Sequence, residues 1–193
     1  MRAHKLSRGR TLAAVLTLGA GLLAASAANA VLAPGAKAPD FKARATLGGK
    51  EFDVSLAAML QKGPVVVYFY PAAFTSGCTV EAHDFAEAIP EFEQLGAHVI
   101  GVSEDGIAKL DKFSVSACQS KFPVAADPDG SITHSFDAAM MIIPGHASRT
   151  SYAIGPDGTI LAAYSAMDPD GHVARMLEAV KQWQLKSAHA NQG

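Results

Sequence analysis

The amino-acid sequence predicts a single domain of the α/β class. Two apolar runs rich in β-branched and aromatic residues, at 65–70 and 98–103, have the composition of strands that are buried on both faces. Each run is followed by apolar residues at helical spacing, over residues 79–95 and 105–117. Strands and helices that alternate along the chain in this way are typical of α/β domains.

The first 30 residues are predicted to lie outside this domain. Basic residues precede an apolar stretch at 12–25, and Ala28-Asn29-Ala30 fits a cleavage site, which is the order found in secretory signal peptides. The alternative is a membrane anchor, but the apolar run is shorter than the ~20 residues that span a bilayer. We therefore expect an exported, periplasmic protein whose domain covers residues 31–193 and does not contact the membrane after cleavage.

The composition limits the function. Four of the 16 basic residues and none of the 18 acidic ones lie in the first 30 residues, so the remaining chain is acidic. An acidic chain does not favour nucleic-acid binding through a basic face. The seven histidines show no metal-ligand spacing, and the sequence has no glycine-rich phosphate loop and no Cys-x-x-Cys motif. Residues 31–193 are enough for one hydrophobic core and too few for two ordinary domains.

A short strand and a short helix follow the second helical segment. The strand is predicted at 122–126 and the helix near 131–137. Between them, residues 127–130 read Asp-Pro-Asp-Gly, a composition that is typical of turns.

A β-hairpin and a closing helix end the domain. Strands at 150–154 and 159–164 flank a Gly-Pro-Asp-Gly segment, a pattern that predicts a hairpin. The last helix is predicted over residues 170–184, and the polar tail from residue 185 onward is expected to be frayed. Strand, helix and strand, followed by a hairpin and a closing helix, is the order of a thioredoxin-like α/β domain.

Cys78 lies where the first buried strand runs through a proline and a glycine into a helix. The first-turn backbone N–H groups of a helix are unpaired, and their partial positive charge stabilises an anion. A thiol at that position therefore forms a thiolate, the nucleophilic form, more readily. Thr75 lies one helical turn upstream, in the spacing Pro71-x-x-x-Thr75-x-x-Cys78. This combination predicts an activated nucleophile, whereas the alternative is a buried structural cysteine.

Residues 68–82 carry a family resemblance. They read Tyr-Phe-Tyr-Pro-x-x-x-Thr-x-Gly-Cys-Thr-x-Glu-Ala, which resembles the active-site motif of the peroxiredoxins, and their flanks are most similar to the bacterioferritin-comigratory or PrxQ-type branch. The likeness extends from residues 35–41 to the last helix near Trp183. It implies a thioredoxin-like fold with an additional N-terminal hairpin, supplied by residues 43–60 with a short helix at 55–60.

The resemblance also implies roles for three residues. In that family the cysteine that matches Cys78 attacks the O–O bond of the peroxide, while the residues that match Thr75 and Arg149 hold its two oxygens. Arg149 lies in a segment at 148–154 that resembles the family's arginine-bearing strand. Pro71 is expected to fix the turn and to shield the sulfur from bulk water.

Some of these residues also have ordinary structural interpretations. Thr75 is a possible helix N-cap, which is compatible with catalysis, and Arg149 is a possible edge-strand charge. Glu81 either orients Arg149 and closes the pocket or complements the helix dipole in the first turn. Three aromatic residues either pack around the pocket or belong to the ordinary core: Phe74, Phe85 and Phe122.

Cys118 is the candidate for a second, resolving thiol. Many relatives carry a resolving cysteine five residues after the reactive one, but this chain has His83 there. Cys118 follows the helix predicted at 105–117, and some relatives carry their resolving cysteine in that helix. The alternatives are a bystander, which would make a one-Cys enzyme, and a permanent structural disulfide. A disulfide needs Cα atoms within ~7 Å, and the reactive sulfur in a folded pocket is expected to lie farther than that from the helix at 105–117. Resolution is therefore expected to require local unwinding.

The resemblance implies an exported thiol peroxidase for hydrogen peroxide and organic hydroperoxides. Cys78 becomes a sulfenic acid, Cys118 condenses with it to a disulfide, and a thioredoxin-like or other external dithiol restores both thiols. No metal, haem or flavin is required, and the sequence is compatible with a monomer or a homodimer. A disulfide reductase is disfavoured because Thr75 stands where its first cysteine would be. A redox-responsive chaperone or scaffold is the alternative from another class.

Overall fold

The computed structural model of the protein describes residues 31–190. The predicted signal peptide lies outside these residues. No helix within them is both long enough and apolar enough to cross a membrane.

One mixed sheet forms the centre of the fold, with helices on both of its faces. Its strands are β1 (Lys42–Leu47), β2 (Lys50–Ser55), β3 (Val65–Phe69), β4 (His98–Ser103), β5 (Val124–Ala126), β6 (Thr150–Ile154) and β7 (Ile160–Ser165). The helices are α1 (Leu56–Leu60), α2 (Ser76–Gln94), α3 (Ile107–Ser116), α4 (Ser131–Ser135) and α5 (His172–Ala190).

The strands lie in the order β2-β1-β5-β4-β3-β6-β7. Strands β3, β4 and β5 are parallel, and β6 is antiparallel to β3. The expected N-terminal hairpin is confirmed as β1 and β2, which extend the sheet beyond β5, and Ser55 caps the short helix α1 that follows. Strand β3 therefore lies inside the sheet, and the chain leaves its carboxyl end to enter α2.

Strand β3 is buried on both faces, as its composition predicts. Val66 and Tyr68 point into the apolar cluster shared with α2, α3 and α5, whereas Val67 and Phe69 point into the cluster shared with α1 and α4. Alternate side chains of a strand face opposite sides of the sheet, so a strand covered by helices on both sides has no polar face. This burial fixes β3 firmly and gives the residues that follow it a rigid origin.

Several helix boundaries differ from the predicted ones. Helix α2 begins at Ser76, three residues earlier than predicted, and α5 begins at His172 because Gly171 adopts a left-handed φ of 87°. Residues 185–190, predicted to belong to a frayed tail, are helical, since α5 continues to Ala190. No glycine or proline occurs in the last turns of α5 to end the helix sooner.

Candidate active site

Hydrogen bonds hold the loop between β3 and α2 in place. The backbone N–H of Tyr70 donates to the carbonyl of Val102 over 3.2 Å. The backbone N–H of Ala73 donates to the carboxylate of Asp105 over 2.6 Å. Phe74 has a left-handed φ of 70°, a conformation that costs a non-glycine residue about 1–3 kcal/mol. The loop is therefore tightly constrained where α2 begins.

Cys78 is buried in the first turn of α2. Backbone N–H groups in that turn have no partner within the helix and stabilise a nearby negative charge. Nη2 of Arg149 donates a hydrogen bond to Sγ of Cys78 over 3.5 Å. A β-carbon at Gly77 would lie 2.9 Å from that nitrogen, so glycine at this position allows the guanidinium to approach. The sulfur of Cys78 therefore lies at a helix N-terminus and in contact with a guanidinium.

Thr75 occupies the N-cap position of α2, but its side chain does not cap the helix. Its hydroxyl instead donates to the carbonyl of Ala72 over 3.0 Å. Pro71 is half-buried at the start of the same loop. The structure thus brings Pro71 and Thr75 to the strand-to-helix junction that carries Cys78.

Arg149 is buried immediately before β6, which lies between β3 and β7. The interpretation of Arg149 as an edge-strand charge is therefore wrong. The guanidinium donates through Nε to the carbonyl of Met167 over 3.0 Å and through Nη1 to the carboxylate of Glu81. Burial opposes its charge, yet the neighbouring Glu81 and Cys78 leave the pKa of Arg149 raised. The guanidinium thus donates to three acceptors: the carbonyl of Met167, the side chain of Glu81 and the sulfur of Cys78. These bonds fix its planar fork in one orientation.

Glu81 lies one turn beyond Cys78 and is fully buried. Its contact with Arg149 supports the interpretation that it orients the guanidinium, because a buried carboxylate needs a specific partner. Burial raises the pKa of Glu81 to about 8, although Arg149 acts in the opposite direction.

Sequence reasoning missed His172 and Ser151 as parts of this site. His172 lies within the helix predicted over residues 170–184 and is the first residue of α5. Both side chains are buried, and Nδ1 of His172 lies 2.8 Å from Oγ of Ser151 and 3.6 Å from Oε1 of Glu81. No spacing in the sequence connects these residues, since packing of α5 against α2 and β6 brings them together.

Residues 34–163 match the model of the AhpC/TSA family. The chain belongs to the AhpC/TSA family. Peroxiredoxin Bcp of Xanthomonas campestris is 32% identical over 134 residues, which cover 66% of this chain and 79% of that protein. A putative peroxiredoxin of Mycobacterium tuberculosis is 35% identical over 151 residues, which cover 75% of this chain and 92% of that protein.

Solved structures agree with this assignment. Peroxidoxin BcpB of Mycobacterium tuberculosis is similar with a TM-score of 0.70 and 28% identity, over 77% of this chain and 96% of that one. Peroxiredoxin Q of Xanthomonas campestris is similar with a TM-score of 0.65 and 29% identity, over 73% of this chain and 90% of that one. These findings confirm the thioredoxin-like peroxiredoxin fold, and the chain is a peroxiredoxin, a thiol-dependent peroxidase.

The second cysteine of this peroxiredoxin lies just beyond α3. Cys118 is fully buried, and both cysteines are free thiols that border one apolar cluster with Tyr68 and Tyr70. Burial raises the pKa of Cys118 to about 12, with Tyr68 acting in the opposite direction. In this packed state Cys118 is therefore held as the neutral thiol at physiological pH.

His83 touches the segment that carries Cys118. Its Nδ1 lies 3.0 Å from Nε2 of Gln119. Gln119 and Ser120 both have left-handed φ values, of 50° and 56°, which is uncommon for residues other than glycine. The position five residues after Cys78 thus faces the segment that follows α3 in this chain.

The three phenylalanines expected to lie either at the pocket or in the ordinary core differ in their surroundings. Phe85 and Phe122 pack against Tyr68, with ring centroids 4.4 Å and 5.8 Å from it. Phe74 is half exposed and contacts Phe113 edge-on at 5.3 Å. Phe85 and Phe122 therefore belong to the core that both cysteines border, whereas Phe74 lies at the surface of the loop before α2.

Proposed function

We propose that this peroxiredoxin reduces hydrogen peroxide and organic hydroperoxides through Cys78, with Cys118 as the resolving thiol and an external dithiol as the reductant. The observation that carries this proposal is the hydrogen bond from Arg149 to the buried sulfur of Cys78 at a helix N-terminus. A buried sulfur in contact with a cation is suited to nucleophilic attack, because the thiolate is stabilised before substrate arrives.

In the first step the Cys78 thiolate attacks one oxygen of the peroxide. The S–O bond forms as the O–O bond breaks, and the electron pair leaves with the second oxygen, which takes up a proton to give water or an alcohol. Cys78 is oxidised to the sulfenic acid and the peroxide is reduced. The fork of Arg149 and the hydroxyl of Thr75 are proposed to bind the two oxygens, and Pro71 to keep bulk water from the sulfur.

In the second step Cys118 attacks the sulfenic sulfur. The S–S bond forms and water leaves, after which an external dithiol reduces the disulfide by exchange and is itself oxidised. Cys118 is buried and protonated in the packed structure, so this step is proposed to follow local opening around the end of α3. We propose that the enzyme acts as a monomer or a homodimer.

The proposed reaction is tested by peroxide consumption. Purified reduced protein is mixed with hydrogen peroxide or cumene hydroperoxide and excess dithiothreitol, and the remaining peroxide is measured over time. We expect catalytic turnover of both peroxides. Failure to consume either one would favour the redox-responsive chaperone or scaffold instead.

Arg149→Lys is expected to slow peroxide reduction by about 10²-fold or more, because a lysine ammonium cannot contact Cys78, Glu81 and the peroxide with one planar fork. Arg44→Lys is the matched control, since Arg44 is an exposed residue of β1 paired with Glu51 and Asp53. An unchanged rate of peroxide reduction in Arg149→Lys would remove Arg149 from the site.

We also propose that residues 1–30 are a secretory signal peptide and that the domain of residues 31–193 works in the periplasm. The proposal is supported by the basic, apolar and Ala-x-Ala segments of the leader. Expression in a Gram-negative host, fractionation and mass spectrometry are expected to find a periplasmic chain that begins at Val31. Replacing Ala28 and Ala30 by bulky residues should block cleavage, and an uncleaved cytoplasmic wild-type chain would contradict the proposal.

A further inference from the structure

His172 makes hydrogen bonds that define the state of its ring. Nε2 lies 3.1 Å from the carbonyl of Ala166, and a carbonyl only accepts, so Nε2 carries a hydrogen. In a neutral ring Nδ1 is then the acceptor, and it lies 2.8 Å from the hydroxyl of Ser151. The same nitrogen lies 3.6 Å from Oε1 of Glu81, on the side of the carboxyl group that does not contact Arg149.

Oε1 of Glu81 is a buried oxygen that lacks a hydrogen-bond partner among residues 31–190. An unpaired oxygen of an ionised carboxylate is costly to bury, which favours either a proton on it or a donor close by. At 3.6 Å, a small adjustment of either side chain would bring Oε1 and Nδ1 of His172 within hydrogen-bond distance. A single proton between Oε1 of Glu81 and Nδ1 of His172 would give Oε1 the partner that it lacks.

The charges around Cys78 favour the same arrangement. Arg149 contacts both Cys78 and Glu81, so the thiolate and an ionised Glu81 would share one guanidinium. Arg175 is the other arginine whose charge acts on His172. Its guanidinium lies over the ring of Tyr164, with 4.4 Å between its Cζ and the ring centroid. A proton on Glu81 would leave the charge of Arg149 available to the thiolate and to the leaving oxygen of the peroxide.

We infer that His172 is a positioning residue of the peroxide site, which holds one proton jointly with Glu81 and thereby controls whether that carboxyl group competes with Cys78 for Arg149. This inference rests on the proposed function. Loss of the shared proton at alkaline pH leaves an ionised Glu81, which weakens the interaction of Arg149 with Cys78. The rate of peroxide reduction should therefore fall at alkaline pH. This alkaline limb of the pH–rate profile follows the loss of the proton that Glu81 and His172 share.

The titration directions are consistent with this inference. Burial raises the pKa of Glu81 to about 8, opposed by Arg149 and assisted by Asp84 on the same helix. Burial lowers the pKa of His172 to about 4; the bond to Ala166 and the charge of Asp168 raise it, whereas Arg149 and Arg175 lower it. Between the pKa of His172, about 4, and the pKa of Glu81, about 8, these two groups share one proton, which lies on the carboxyl group of Glu81. The alkaline limb is accordingly expected near pH 8.

Two substitutions of His172 separate its two nitrogens. His172→Gln places an amide near the position of Nε2, so the bond to Ala166 is kept while Nδ1 is lost. His172→Asn places its amide near the position of Nδ1 and loses the bond to Ala166. We expect the Gln variant to move the alkaline limb down by about one pH unit, because Glu81 then loses its proton more easily, and the Asn variant to lie closer to wild type.

Ser151→Ala provides a test in the opposite direction. Removing this hydroxyl leaves Glu81 as the remaining partner of Nδ1, so the shared proton should be held more tightly and the limb should move up. His189→Gln is the control, since His189 is exposed on the same helix α5. Melting temperatures identify variants that do not fold, and the serine variant keeps the test informative if the histidine variants unfold.

The rate constant of peroxide consumption is measured against pH for every variant. Opposite shifts in His172→Gln and Ser151→Ala support the inference. An unchanged alkaline limb in folded His172→Gln, or shifts of the same direction in all variants, would overturn it. The proposed function is tested separately, because it requires that Cys78→Ser lose turnover at every pH. That result does not depend on where the alkaline limb lies.

Discussion

Cys78→Ser is expected to lower peroxide turnover by more than about 10³-fold, since loss of a covalent nucleophile typically removes most of an enzyme's rate. Serine keeps nearly the same shape in the first turn of α2, but its hydroxyl forms an anion far less readily than a thiol. The helix terminus and Arg149 therefore have no thiolate to stabilise. The measurement is peroxide consumption at saturating dithiol.

A neighbouring substitution controls for damage to the helix. Thr79→Ser alters the residue after Cys78 and keeps the hydroxyl that donates to the carbonyl of Thr75 over 2.9 Å. That variant should turn over nearly as fast as wild type. If Cys78→Ser kept a tenth of the wild-type rate, the assignment of Cys78 as the attacking residue would be wrong.

Cys118→Ser should have the second-largest effect, and it should affect only the later steps. The first equivalent of peroxide is expected to react at nearly the wild-type rate, because Cys118 does not contact the Arg149 fork. The variant should then stall as the Cys78 sulfenic acid and proceed to sulfinic acid in excess peroxide. Rapid mixing followed by mass spectrometry distinguishes these species.

The matched control for resolution is Ser116→Ala. Ser116 is near the end of α3, and its hydroxyl donates to the carbonyl of Lys112, away from the buried core. This variant should form the disulfide normally. Normal multiple turnover in Cys118→Ser with the same dithiol would instead make Cys118 a bystander and the protein a one-Cys enzyme.

Disulfide formation should loosen two segments of the structure. The backbone N–H of Cys118 donates to the carbonyl of Phe113, and the side chain of Gln119 contacts His83, so movement of Cys118 toward Cys78 is expected to break these bonds. Amide exchange should accelerate in the first turn of α2 and at the end of α3, where local opening is required. A cross-link by itself constrains the unfolded chain and tends to stabilise, so faster exchange would identify opening specifically.

The sequence predicted the parts of the site that depend on local order. The apolar run that became β3 and the proline and glycine after it place Cys78 at a helix start, because burial and turn chemistry are readable from neighbouring residues. Arg149 was found only through the family resemblance. Its burial beside β3 depends on pairing between β3 and β6, which no local pattern specifies.

The contacts of His172 were beyond sequence reasoning for a related reason. A histidine at a helix start is usually a surface residue, and its burial arises because α5 packs back over β6 and α2. The same packing gives Glu81 a second neighbour besides Arg149. Sequence spacing has no signal for a cluster assembled from three separate elements.

Mass spectrometry tests whether peroxide oxidises Cys78 and whether Cys118 then resolves the sulfenic acid. Reduced protein is treated with one equivalent of hydrogen peroxide and digested without reductant, beside Cys118→Ser treated in the same way. We expect a peptide pair joined through Cys78 and Cys118 in the wild type, and one added oxygen on Cys78 in the variant. Unmodified Cys78 in both proteins, or oxidation confined to Cys118, would show that Cys78 is not the residue that peroxide oxidises.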